Sequence, residues 1–293
     1  VSTEDYPYYL SHLFEPPFRA RRIREVIDSK EKHTIEDMKA LQMDVVSIQA
    51  REFIHEVIRP LVAGGRSLHE GIDAAVRRLL VWDGNSTAGS VPAAIYHVLF
   101  QTLMQSLLQS RLGDDLYLAF AELQNQAVVP LDHLIRDPNS PWLTTAGGGE
   151  AVVQALEDTV DWLRRTLGEN PNDWTWGRLH TVEMRHPLGG VPAIAPVLNI
   201  GPLRTGGDGL PVNKGFYFYS RPYRCVLGPS YRQIVDLGNP DRSLWITTSG
   251  QSGNPVSPTY RDRTPLWHRG EYLPMRADPA AIDGTVETVL IPG

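Results

Sequence analysis

The chain has 293 residues, 42% hydrophobic and 21% charged, enough for one large soluble domain or two ordinary ones. A formal net charge of −6 excludes a broad nucleic-acid-binding surface. Cys225 is the only cysteine, which excludes an internal disulfide and a cysteine-based metal site.

In chain order, Val1 to Tyr6 has neither a basic start nor an apolar segment, so it does not read as a signal peptide. Without an initiator Met, the chain is expected to begin after processing or cleavage. The run Arg19-Ala20-Arg21-Arg22-Ile23-Arg24 is local and reads as a helix face rather than a phosphate patch. Ile54, Val57, Ile58 and Leu61 share a helical face that Pro60 should bend near its end. Ser67-Leu68-His69-Glu70 has the capping-box pattern, in which hydroxyl and carboxylate satisfy exposed backbone donors reciprocally. Behind it Ile72, Ala75, Val76, Leu79 and Leu80 fall on one face.

Residues 91–112 read as a more buried helix. Its apolar stretch, Ile95 to Leu108, is interrupted by His97, Gln101, Thr102, Gln105 and Ser106, so no run approaches a membrane span. Asp114-Asp115 reads as the polar start of a helix. Val153, Leu156, Val160, Leu163 and Leu167 form another stripe, with Gly168 as its stop. From Asn172 onward Gly and Pro become frequent and short strand-like runs appear: Arg232 to Leu237, Ser243 to Thr248 and Thr285 to Ile291. Gly238-Asn239-Pro240-Asp241 reads as the turn of a hairpin between the first two. The glycine clusters at 147–149 and 206–209 read as loops. The organisation predicted is a mainly helical region, 1–170, followed by a β-rich region, 171–293.

No self-contained catalytic motif survives inspection. Gly250-Gln251-Ser252-Gly253 lacks the last glycine of a nucleophile elbow, because Asn254 stands there; it reads as a tight turn. No glycine cluster precedes the Lys-Ser/Thr of a phosphate loop. His180 and His186 are too loosely spaced for a helical metal pair and read as structural. Trp174, Trp176 and Trp245 are expected in packing roles.

Several blocks resemble, in order, the penicillin acylase (penicillin amidase) family. They are Asp5-Tyr6-Pro7-Tyr8 with Arg19 to Ile23, Leu80-Val81-Trp82-Asp83-Gly84, and Trp174 to His180 continuing to His186-Pro187-Leu188. Gly207-Asp208 through Asn213, Tyr231 to Asp236, Ser243-Leu244-Trp245 through Gly250 to Pro258, and Gly270 to Met275 follow. Their collinearity places the chain in the C-terminal part of a β subunit.

The resemblance implies an α+β fold, a helical region followed by a β-rich region contributing strands to the αββα sandwich of N-terminal-nucleophile hydrolases. It implies cleavage of an N-acyl amide through an acyl-enzyme on an N-terminal serine, whose α-amine, titrating near pH ~8, can act as base. Val1 has neither hydroxyl nor thiol, and Ser2 is expected deep within the β chain, so that serine is expected outside this sequence. The family's oxyanion asparagine should fall a few residues before Val1. One family arginine, which organises that asparagine and nearby charge, aligns with Arg19, with Arg21 as the alternative register. No cofactor is implied for the chemistry. A family calcium ligand aligns near Leu10, which cannot coordinate the ion, so no metal site is carried over. Expected partners are the remainder of the β subunit, the α subunit and an N-acyl small-molecule substrate, with no nucleic acid and no membrane span. A periplasmic or extracellular location is implied by resemblance alone. The rival readings are a non-catalytic structural or assembly module, and one chain of a split acylase.

Overall fold

The structure, a computed structural model, describes residues 6, 8–11, 14–63, 69–137, 148–276 and 278. Among the described residues the longer helical elements come first: α1 (Phe18–Ile27), α2 (Ile35–Gln42), α3 (residues 48–63), α4 (Glu70–Leu80), α5 (Val91–Leu112), α6 (Asp114–Ala121), α7 (Val128–Arg136) and α8 (Gly148–Leu167).

Helix α5 organises the rest. Ser90 caps it by accepting from the Ala93 amide, Pro92 lies in its first turn where no N–H is needed, and 93–100 are buried all round. At 22 residues it is long and apolar enough to cross a membrane, contrary to the expectation that no run comes near that length. Its burial against α4 and α8 identifies it instead as the central core helix. Helix α4 contributes Ile72, Ala75, Val76 and Leu79 as predicted. The buried stripe of α8 runs Val152, Ala155, Leu156, Val160, Leu163 and Leu167, so Val152 rather than Val153 faces inward. Gly168 ends α8 at a φ of +99°, in the left-handed region that glycine adopts freely.

Two local expectations change. Glu70 is the first residue of α4, with His69 as N-cap making no side-chain cap bond, so Glu70 is not the third-position member of a capping box; Ser67 lies outside the described residues. A capping box does form at α2, where Thr34 and Asp37 bond each other's backbone amides. In α3, Pro60 is preceded by a wide π-turn at Ile54–Ile58. Proline lacks the N–H for a regular turn and crowds the carbonyl four residues back, which the wider turn relieves.

After α8 the described residues form two three-stranded sheets. In the first, β1 (Thr181–Met184) lies between antiparallel β2 (Ile200–Arg204) and parallel β3 (Arg224–Cys225). In the second, β5 (Ser243–Thr247) lies between β4 (Tyr231–Ile234) and β6 (Leu273–Met275), all antiparallel. Strands β4 and β5 form the predicted hairpin, with Tyr231 opposite Thr247 and Ile234 opposite Leu244. Strand β4 stops at Ile234; beyond it the Asp236 carboxylate accepts from the Gly238 and Asn239 amides and starts the turn. The predicted strand Thr285 to Ile291 lies outside the described residues.

The main hydrophobic cluster joins the helices to Trp174, Trp176, Leu210, Tyr217 and Tyr223, so one core runs from the helices into the segment around the strands. A second, small cluster gathers Val182 and Cys225 of the first sheet with Ile246 of the second and Trp267.

Candidate active site

The arginines of α1 separate by direction, as adjacent helical positions must. Arg21 bonds Glu52, and Arg22 forks onto Asp44 through Nε at 3.0 Å and Nη2 at 2.6 Å. Arg19 points elsewhere. Its Nε donates to the Pro211 carbonyl at 2.8 Å and its Nη2 to the Gly209 carbonyl at 2.7 Å. These acceptors are neutral backbone carbonyls, and they fix the direction of the guanidinium.

The loop that receives Arg19 is built by close approach. Gly207 has φ +80°, and its amide donates to the Ser86 carbonyl at 2.8 Å. A Cβ on Gly209 would lie 2.3 Å from Asn125 Oδ1, so glycine lets the loop press against that buried side chain. Asn125 in turn donates to Glu15 at 2.6 Å, tying the segment ahead of α1 to the same place.

Beneath the loop lies a buried polar array. The Trp176 ring is stacked between His97, 4.2 Å away, and His180, 4.7 Å away. Its indole N–H donates to the Gly207 carbonyl at 2.9 Å. His180 Nδ1 lies 2.6 Å from the Tyr223 carbonyl, which makes it the donor, while Nε2 has no hydrogen-bond partner. Asp208 is 5% exposed; its Oδ1 accepts from the Leu210 amide at 2.7 Å, and its Oδ2 lies 3.5 Å from His97 Nε2.

Burial dominates the electrostatics here. It pushes Asp208 up to about 6, against the opposing pull of the Leu210 amide and the Arg19 charge. It lowers His180 to about 4 and holds His97 well below the ordinary histidine value. His97 is therefore neutral near pH 7, and its approach to Asp208 is not an ion pair. Arg19 is the cation that acts on Asp208. Burial, followed by the Arg19 charge, also lowers Lys214.

The residues on either side of this loop, Gly206 and Asn213 to Gly215, border a cavity of about 220 Å³ whose lining includes Arg204, Lys214, Arg232 and His268. Arg232, 5% exposed, donates to the Trp267 carbonyl and to Asn213 and lies over the Trp267 ring.

The other predicted residues are structural in their contacts. Trp174 and Trp176 are buried, and Trp245 is half-buried against Arg263. Asp114 and Asp115 occupy the first turn of α6. The 250–253 turn is pinned by amides of Gly250 and Ser252 to carbonyls of Tyr260 and Thr259. Leu10 is exposed, and among the described residues no group of three or more His, Cys, Asp or Glu could hold a metal ion. Sequence reasoning passed over Asp208, treated as a loop residue, and His97, treated as an interruption of an apolar run. A lone imidazole on an otherwise fully buried helix is the signal that could have singled out His97.

The family model for penicillin amidase matches residues 1–284. The acyl-homoserine lactone acylase QuiP of Pseudomonas aeruginosa is 29% identical across 95% of this chain and 36% of its own length. Penicillin acylase 2 proenzyme of Pseudomonas sp. SE83 is 28% identical across 100% of this chain and 38% of its own. The chain thus spans little more than a third of the length of these relatives. A solved structure of the thermostable penicillin G acylase from Alcaligenes faecalis superposes with a TM-score of 0.61 at 15% identity, covering 98% of this chain and 54% of that one. At that identity the superposition speaks for the fold alone. With the family match extending over nearly every residue, and the mixed helix-and-sheet fold agreeing with it, this chain belongs to the penicillin amidase family.

Proposed function

We propose that the protein containing this chain hydrolyses an amide joining an acyl group to an amine, through an acyl-enzyme on an N-terminal serine outside residues 1–293. Family membership and the names of the relatives, which include acyl-homoserine lactone and penicillin acylases, support this reaction class. The observation that carries the role of this chain is the anchoring of Arg19 on two backbone carbonyls. A guanidinium fixed by neutral acceptors is pre-oriented, which suits it to organise an oxyanion-holding asparagine as charge develops. Arg19 is thus a supporting residue that forms no covalent bond.

The remainder of the β subunit and the α subunit are the partners in this reading. The segment leading into α1 presents Tyr8, Tyr9, Leu10 and Phe14 at 57% exposure or more, an apolar run that such partners would cover. No cofactor takes part in the chemistry. The protein works in the periplasm or outside the cell, which cell fractionation would check.

The test is amine release from phenylacetyl, glutaryl and long-chain acyl amides by the complete processed protein. Arg19→Lys keeps the charge and loses the fork, and is expected to lower kcat by about 100-fold, the scale of a misplacement near 1 Å, with little change in melting temperature. Arg24→Lys is expected to be nearly silent. Full activity in Arg19→Lys with loss in Arg21→Lys would move the role to Arg21; activity in both would remove it from the cluster.

A further inference from the structure

We infer that Asp208 is a positioning residue for Arg19, acting through the loop that grips the guanidinium. This rests on the role proposed above for Arg19.

Four carbonyls of the 207–211 loop are committed. Gly207 accepts from the Trp176 indole at 2.9 Å, Asp208 from the Gly215 amide at 2.7 Å, and Gly209 and Pro211 from Arg19 at 2.7 and 2.8 Å. The two that hold Arg19 flank Leu210, whose own amide is taken by Asp208 Oδ1 at 2.7 Å. That bond sets the bend between the Gly209 and Pro211 carbonyls, so that both reach one guanidinium.

The turn alone does not call for a carboxylate. An asparagine oxygen would accept from the Leu210 amide equally well. Among the described residues the second oxygen, Oδ2, is buried without a hydrogen-bond partner, with the neutral His97 ring at 3.5 Å. A buried, half-satisfied carboxylate is destabilising unless a cation offsets it. Arg19 is the cation that acts on Asp208. Asp208 therefore holds Arg19 twice, by shaping its two acceptors and by attracting its charge. Trp176, stacked on His97, fixes the start of the same loop through Gly207.

The experiment compares Asp208→Asn, Arg19→Lys and the double variant in the complete processed protein, measuring kcat, KM and melting temperature for one amide substrate. Asp208→Asn keeps the turn acceptor and removes the charge. It is expected to lower kcat about tenfold with KM within about twofold, a fraction of the ~100-fold that a 1 Å misplacement can cause. The double variant is expected to be no slower than Arg19→Lys alone, because Asp208 acts only through Arg19. Loss in Arg19→Lys with full activity in Asp208→Asn, or losses that multiply in the double variant, would overturn the inference and leave the Arg19 reading standing. Full activity in Arg19→Lys would remove both. If Asp208→Asn does not fold, Asp208→Glu decides, since it keeps the charge and moves the carboxylate off the Leu210 amide. A fall in kcat that disappears in the Arg19→Lys background supports the inference, and an unchanged kcat contradicts it.

Discussion

The helical region and the strand-rich region bury their apolar side chains differently. Around α5 the helices build the centre of the large cluster: Ile95, Leu99, Leu103, Leu131, Leu156 and Leu163 have no solvent exposure. Among the described residues the two sheets share the small cluster of Val182, Cys225, Ile246 and Trp267. Their surroundings leave Val226, Leu227, Tyr231, Val235 and Leu237 exposed, Leu237 at 92%. Helices satisfy their backbone internally and need only one another to bury a stripe, whereas a three-stranded sheet leaves edges and a face for something else to cover. The contrast lies in the size of the buried clusters, since exposed apolar side chains occur in both regions, Val81 at 86% among them.

The comparison can be broken by equal truncations in the two regions. Ile95 and Ile246 are both fully buried. In the complete protein Ile95→Ala is expected in the upper half of the roughly 2–5 kcal/mol span of such changes, and Ile246→Ala in the lower half, because the sparser cluster can relax around the cavity. Denaturant unfolding monitored at two wavelengths measures both; equal losses would erase the distinction.

A second, smaller effect lies where the regions meet, at His97, His180 and Asp208. Asp208, raised from 3.8 to about 6, keeps its proton in the folded state after the unfolded chain has lost it, so its contribution to stability falls as pH climbs from about 4 to about 6. His180, lowered from 6.5 to about 4, and His97, lowered also, stay neutral while the unfolded chain is protonated. Their contribution therefore rises over about pH 4 to 6.5, and two rising contributions outweigh one falling. Asp208→Asn is expected to steepen the net rise by on the order of 3 kcal/mol across that window. Melting curves at pH 4.5 to 7, which parallel those of the unsubstituted protein, would contradict this placement of the carboxylate.

The smallest effect sharpens the same contrast from outside. Leu237→Ser, in this exposed position, is expected to alter unfolding by less than about 0.5 kcal/mol if no partner covers it. A larger loss in the complete protein would locate an interface on that edge.

Local signals explain what was legible in the sequence. The stripes of α4 and α8, the stop at Gly168 and the β4–β5 hairpin each depend on neighbours within a few turns of chain, and all appear. Strands β1 to β3 were not legible. β3 is two residues long, and β1 pairs with a strand that starts 16 residues after it ends, across an irregular connection. Arg232 faces inward on β4, where a charged residue argues against an inner face until its Trp267 and Asn213 partners are seen. The Arg19 grip could not be read either, because it joins positions 190 and 192 residues apart. Sequence resemblance singled out the arginine; only the fold shows what it holds.

The most direct measurement is mass spectrometry of the complete processed protein trapped with a slow N-acyl substrate, followed by peptide mapping of the acyl adduct. The expected result is one adduct on an N-terminal serine outside residues 1–293, with amine released in equal amount, and none on this chain. An adduct on any serine within residues 1–293 would contradict the account.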